Sequence, residues 1–148
     1  MPRQGELLVG VEPSNAERVR HAYARWAETK GGSAELFIEM LADDVVMTTA
    51  LDPSEPHPMA GARIGKQFAC DYLESLALNL TMLDYPTDEV VDGGDTVVWI
   101  GSCHWRDRAS GREARTPKVD VWRFEQGKAT SVLEMFDTLG FARFNRMV

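Results

Sequence analysis

The chain has 148 residues, 44% hydrophobic and 26% charged, which suits one globular domain able to bury roughly two-thirds of its unfolded surface. A formal net charge of −7 argues against nucleic acid or an anionic membrane surface as a partner, and no run approaches the roughly 18 apolar residues of a membrane span. The two cysteines, Cys70 and Cys103, form no CxxC and have no companion histidine spacing, so two reduced thiols and no metal are expected, with a disulfide left open.

Residues 1–12 read as a loose arm, and Met1 to Val11 holds no apolar core of signal-peptide length, so a cytoplasmic location is expected. A helix is predicted from Ser14, which has capping-box spacing to Glu17; Val19, Ala22, Tyr23, Trp26 and Ala27 form its apolar face, and Gly31-Gly32 ends it. A second helix fits Ala34 to Leu41, with Leu36, Phe37, Met40 and Leu41 inward. Asp43-Asp44 marks a turn, and Val45 to Thr49 is β-branched enough for a strand. Pro53, Pro56, Pro58 and Gly61 make 52–62 an irregular loop, a candidate lid. A third helix is predicted from Ile64 to Leu78 with Phe68, Tyr72, Leu73 and Leu76 as its stripe. From Thr81 the pattern turns to strands near 82–91, 95–107, 113–125 and 129–138, separated by Asp92-Gly93-Gly94-Asp95, Ala109-Ser110-Gly111 and Gln126-Gly127-Lys128. Helices followed by an antiparallel meander define an α+β domain spanning the chain.

Asp120 is the most informative residue. It lies in an alternating strand, Lys118-Val119-Asp120-Val121-Trp122-Arg123-Phe124, on the same parity as Trp122 and Phe124. If that face is buried, the carboxyl must be hydrogen-bonded, paired or protonated; if the strand is an edge, it is simply solvated. Glu134 is a second acid among apolar neighbours, sharing a face with Val132 and Phe136. It either meets Asp120 in one pocket or pairs with an arginine at the sheet surface. On strand 95–107, Val97, Trp99, Gly101, Cys103 and Trp105 share an aromatic face with a glycine gap that suits a cavity wall. His104 falls on the opposite face with Val98, Ile100, Ser102 and Arg106, which suits an interface. Tyr23 and Trp26 lie on the inward stripe of the first helix, where an aromatic is usually core; a buried phenol needs a partner, and Asp120 would supply one.

The element order, with "LADDVV" at 41–46, "VVDGGDTVVW" at 90–99, "VDVWRFEQGK" at 119–128 and "EMFDT" at 134–138, resembles the nuclear-transport-factor-2-like superfamily, in its SnoaL-like and ketosteroid-isomerase-like branch. The resemblance covers residues 14 to 140. It implies a cone-shaped α+β barrel, three N-terminal helices packed in a curved mixed or antiparallel sheet around an apolar pocket, and a homodimer through the outer sheet face. Against ketosteroid isomerases, Tyr23 falls at the oxyanion-hole tyrosine and Asp120 at the protonated aspartic acid that completes the hole. The general base of that branch should lie near Thr48, Thr49 and Ala50, where this chain has no carboxylate; Asp52 is a substitute by position. Against the limonene-epoxide-hydrolase-like branch, Glu134 matches an acid on the last strand, but its accompanying arginine–aspartate pair is not evident on strand 95–107.

The reading is a cofactor-independent acid–base enzyme of isomerase, cyclase or hydrolase type, acting on a small apolar oxygenated ring compound. Asp120 and Tyr23 are the expected oxyanion donors and Glu134 the base or acid. Trp26, Trp99, Cys103, Trp105, Trp122, Phe136 and Thr49 are the expected pocket residues. The rival reading is a non-catalytic binder of a small hydrophobic ligand with the same fold. Acids converging on one space favour the enzyme; acids held in salt bridges favour the binder.

Overall fold

A computed structural model describes residues 12–148, so the arm expected over residues 1–12 lies outside the described residues except for Glu12. Helix α1 is Asn15–Glu28. Its Ser14 cap accepts a hydrogen bond from the Glu17 amide at 3.1 Å, satisfying one of the donors that a helix start leaves unpaired. Ala16, Val19, Ala22, Tyr23 and Trp26 recur every three or four residues and are buried. The chain reverses through Gly31, whose φ of 81° favours glycine, into α2, Glu35–Met40.

Strand β1, Leu41–Thr49, starts four residues earlier than predicted, because Asp43-Asp44 does not turn the chain. Both aspartates are exposed within a register shift between Leu41 and Val46, which absorbs them as an irregularity in the strand. After the 52–62 loop come β2, Arg63–Ile64, and α3, Lys66–Asn79. Phe68, placed on the α3 stripe by spacing, is 44% exposed; Ala69 is the buried position.

The single strand expected at 82–91 is two, β3 (Leu80–Asp84) and β4 (Thr87–Gly93), with Tyr85-Pro86 between them. Both pair with the long β5, Thr96–Asp107, on the same edge: Met82 opposite Trp105, and Val90 opposite Trp99. Proline has no amide hydrogen for a ladder, so the break falls there. Gly101 lets it pass, since a Cβ on Gly101 would lie 2.2 Å from the Pro86 carbonyl oxygen and 2.6 Å from the Trp99 ring. The glycine read as a gap in a cavity wall is therefore filled by the neighbouring indole.

Strands β6 (Glu113–Glu125) and β7 (Lys128–Phe136) complete the meander. The sheet order is β2-β1-β7-β6-β5-β3, with β4 beside β5; β1 runs parallel to β7 and the other pairings are antiparallel. The sheet is mixed, and its first and last strands do not pair with each other. A fourth helix, α4 (Thr138–Phe144), replaces the end of the strand predicted to 138, capped by Asp137 accepting from the Gly140 amide at 3.0 Å. The inner face of β5 is buried as its alternation requires: Val97 and Trp99 at 0%, with Cys103 and Trp105 below 10%. Both cysteines are free. Among the described residues no helix is long and apolar enough to cross a membrane.

Candidate active site

Pairing register brings the site together. Thr49 of β1, Glu134 of β7, Asp120 of β6 and Trp99 of β5 stand side by side on adjacent strands. Residues in register point to the same side of a sheet, so the two acids share the concave face. The carboxylate that β1 lacks at Thr49 stands one strand over, as Glu134.

Asp120 is 1% exposed, and the edge-strand alternative is excluded. Its carboxylate accepts from Lys118 Nζ at 2.7 Å (Oδ1) and 2.6 Å (Oδ2), and from the Tyr23 hydroxyl. The Tyr23 oxygen accepts from Trp122 Nε1 at 3.0 Å. The ring of Tyr23 stacks on Trp99 with centroids 4.2 Å apart and planes 8° off parallel. This geometry corrects the expected role of Asp120 as a protonated donor: with an ammonium on both oxygens, it is an acceptor. Tyr23 spends its proton on Asp120, so it is not arranged as a free oxyanion donor either. Lys118 was not among the residues picked from the sequence, although the alternation that turns Asp120 inward turns Lys118 inward too. The charged pair in this site is lysine–aspartate, both from β6, and not an arginine–aspartate pair on strand 95–107.

Glu134 is also buried, at 7% exposure. Oε1 lies 3.8 Å from Lys118 Nζ, and Oε2 lies 3.8 Å from Nη2 of Arg63, which is 5% exposed. Neither distance is a hydrogen bond. Glu134 Oε2 and Arg63 Nε and Nη2 are buried without a hydrogen-bond partner among the described residues. An arginine does accompany Glu134, then, but inside rather than at the sheet surface.

Electrostatics separate the groups. Burial raises the pKa of Glu134; Lys118 and Arg63 oppose this and Asp120 adds to it. Burial alone would lower the pKa of Lys118, but Asp120 leads a set of neighbours that hold it well above the ordinary lysine value. Burial and then Asp120 raise Tyr23, and burial foremost pushes the Cys103 thiol up to about 11.

Tyr23, Cys103, Lys118, Asp120 and Glu134 line a cavity of about 860 Å³, within the range of small-molecule sites. Of the expected pocket residues, Trp26, Cys103, Trp105, Trp122 and Phe136 line it. Trp99 does not: it is fully buried behind Tyr23, its Nε1 donating to Thr87 Oγ1 at 2.7 Å. Thr49 does not either, because its hydroxyl donates to the Met59 carbonyl at 2.7 Å and so ties down the 52–62 loop. That loop contributes His57, Pro58 and Met59 to the wall, and the unforeseen α4 contributes Phe141, packed edge-on against His57 at 4.8 Å. Asp52 is exposed, does not line the cavity, and accepts from Ser54 through bonds that lower its pKa. His104 faces outward and pairs with Glu113 at 2.8 Å.

A curved, unclosed α+β sheet wrapped on helices around a cavity is the nuclear-transport-factor-2-like fold. Residues 19–132 match the SnoaL-like domain family, and the chain belongs to that family. No curated protein matches its sequence. Among solved structures, an NTF2-like protein of unknown function from Burkholderia pseudomallei is similar at 24% identity and TM-score 0.71, over 90% of this chain and 98% of that one. A Rhodopseudomonas palustris protein proposed to be an isomerase is similar at 17% identity and TM-score 0.72, over 93% and 100%. A Pseudomonas putida protein proposed to be a polyketide cyclase is similar at 15% identity and TM-score 0.69, over 89% and 98%.

Proposed function

We propose that this protein is a cofactor-independent acid–base enzyme acting on a small apolar ring compound that carries a carbonyl or similar oxygen. One observation carries the reading: Lys118 and Glu134, 3.8 Å apart, keep unused hydrogen-bonding capacity at the charged end of an otherwise largely apolar cavity. An ammonium has three N–H donors, and among the described residues Lys118 gives hydrogen bonds only to Asp120. Its raised pKa keeps it charged, so it acts as a donor and not as an amine nucleophile. Burial raises the pKa of Glu134, which makes it a stronger base than an ordinary carboxylate.

The chemistry follows from those two roles. A ring carbonyl oxygen accepts the free N–H of Lys118, and Glu134 takes a proton from the adjacent carbon. The C–H electron pair moves onto oxygen, and the ammonium stabilises the resulting enolate, a donor effect typically worth about 3–4 kcal/mol. Glu134 then returns the proton to another carbon, which is isomerisation, or the enolate carbon attacks a second carbonyl and Glu134 returns its proton to the alkoxide oxygen so formed, which is ring closure. With Lys118 and Arg63 set against Asp120 and Glu134, the ionised site is neutral overall, which suits an uncharged carbonyl better than a carboxylate at this end. Family membership supports the reading, as do the isomerase and cyclase proposed for similar structures.

Deuterium incorporation into a panel of cyclic ketones and polyketide-like compounds in D2O, followed by mass spectrometry, tests it. Wild-type protein should exchange the α-hydrogens of at least one compound, and Lys118→Met and Glu134→Gln should each lower the rate at least ~100-fold. Exchange unchanged in either variant would sink the assignment. The second reading is a ligand-binding protein without chemistry, favoured by the hydrogen bonds that lock Asp120 and Tyr23 to their neighbours. Ligands that raise the melting temperature but never exchange would support that reading.

The partner proposed for the outer sheet face is a second copy of the chain. Val98, Ile100, Val119, Val121 and Leu133 are half-buried there and Met135 is 45% exposed. Light scattering that returns a monomer mass at assay concentration would rule this out.

A further inference from the structure

Arg63 is the buried charge that the proposed reaction does not use. It comes from the two-residue β2, and its guanidinium carbon lies 4.8 Å from the Tyr72 ring centroid and 5.9 Å from that of Phe68. Those cation–π contacts supply no hydrogen bond, and Nε and Nη2 have no hydrogen-bond partner among the described residues. An arginine cannot shed its proton, so a charge buried this deeply needs an anion. Glu134 is the only acid within 4.0 Å of it among the described residues.

Resting on the acid–base reading above, we propose that Arg63 is a positioning residue: it holds the Glu134 carboxylate charged and turned toward the cavity without occupying the lone pairs that take the proton. At 3.8 Å the guanidinium attracts Glu134 but makes no hydrogen bond to it, whereas Asp120, bonded to Lys118 at 2.6 Å, is spent as a base. A cation within about 4–6 Å favours a carboxylate's charged form and so opposes burial. The groups facing Glu134 are Lys118 and Asp120 from β6, Arg63 from β2 and Tyr72 from α3, with Tyr85 and Cys103 at longer range. Lys118 is shared with Asp120, and Arg63 has no other acid. Lys118 is the stronger of the two cations on Glu134, but its removal also releases Asp120; removal of Arg63 acts on Glu134 without unpairing a second acid.

The test needs no substrate, so it can fail while the proposed reaction stands, and the reverse. The carboxyl carbon of Glu134, assigned with Glu134→Gln, is titrated by 13C NMR in wild type, Arg63→Lys and Arg63→Gln. Arg63→Gln should move the midpoint upward, and Arg63→Lys should restore it toward wild type. An unchanged or lowered midpoint in Arg63→Gln overturns the proposal. If Arg63→Gln does not fold, the Arg63→Gln/Glu134→Gln double variant should fold, because it removes both charges of the pair. A double variant that also fails to fold would mean that Arg63 acts only as packing between Phe68 and Tyr72, which overturns the proposal too. Once a substrate is known, kcat/KM of Arg63→Gln should fall at least ~10-fold on the acid side of the pH profile and stay within ~2-fold on its alkaline plateau.

Discussion

Replacing Asp120 by alanine isolates the strongest interaction in the site. Asp120 gives Lys118 both of its hydrogen bonds, at 2.6 and 2.7 Å, and gives the Tyr23 hydroxyl its acceptor. In Asp120→Ala, Lys118 remains about nine-tenths buried with Glu134 at 3.8 Å as its nearest carboxylate, and Tyr23 keeps only the bond from Trp122. Removing one partner of a buried pair typically costs about 3–5 kcal/mol, because the other charge is left uncompensated. Against a total stability of roughly 5–15 kcal/mol this is a large loss. At roughly 2–4 °C per kcal/mol for a domain of this size, the melting temperature should fall by about 6–20 °C. Urea unfolding followed by circular dichroism and tryptophan fluorescence measures the change. Lys118→Met should also destabilise, and the double variant should cost at least ~1 kcal/mol less than the sum of the singles, since it leaves no orphaned charge. If Asp120→Ala stays within ~1 kcal/mol of wild type and the two effects add, the carboxylate and ammonium are not energetically paired, and the account of the site fails.

Relative to wild type, Glu134→Gln should gain melting temperature as pH rises, on top of a pH-independent loss from leaving buried Arg63 without its acid. Burial raises the native pKa of Glu134, so its stability contribution is complete below the unfolded pKa and falls as pH rises through the higher native value. The variant should therefore fall furthest below wild type at low pH, and a deficit that shrinks on acidification would contradict the sign. Gly101→Ala should destabilise by about 1–3 kcal/mol in urea unfolding, because the new methyl meets a backbone carbonyl and an indole that cannot both withdraw. A neutral result would mean that the Tyr85-Pro86 crossing is looser than the contacts imply. The Cys103 thiol, 6% exposed and pushed up to about 11, should resist iodoacetamide in the native protein at pH 7.5 while reacting fully in urea. Equal rates, read by peptide mass spectrometry, would show that the cavity wall opens.

Local patterns carried much of this structure. Period-2 alternation put Trp99, Cys103, Trp105, Asp120, Trp122 and Glu134 on the inner faces of their strands, and each is buried there. The 3.6-residue stripe of α1 put Tyr23 and Trp26 inward, and Ser14 caps the helix it was expected to start. The errors fall where a local signal met a long-range constraint. Asp43-Asp44 reads as a turn, but pairing with β7 holds it in a strand. Asp137 reads as a strand end and is the cap of α4, whose Phe141 meets a histidine 84 positions earlier in the chain, His57.

The amino-acid sequence by itself determined which side chains share a face, since that depends only on backbone period, and it set Asp120 beside Trp122 and Glu134 beside Val132 and Phe136. Tertiary structure decided what those acids are. Charge state and hydrogen bonding depend on groups that register and folding bring close from distant parts of the chain. Lys118 converts Asp120 from donor to acceptor; Tyr23, from α1, caps it; Arg63, from the far edge of the sheet, stands by Glu134. Alternation can say that a carboxylate shares a face with apolar side chains. Only the packed neighbours, acting over a few ångströms with little water to screen them, decide which carboxylate is spent in a salt bridge and which retains unshared lone pairs facing the cavity.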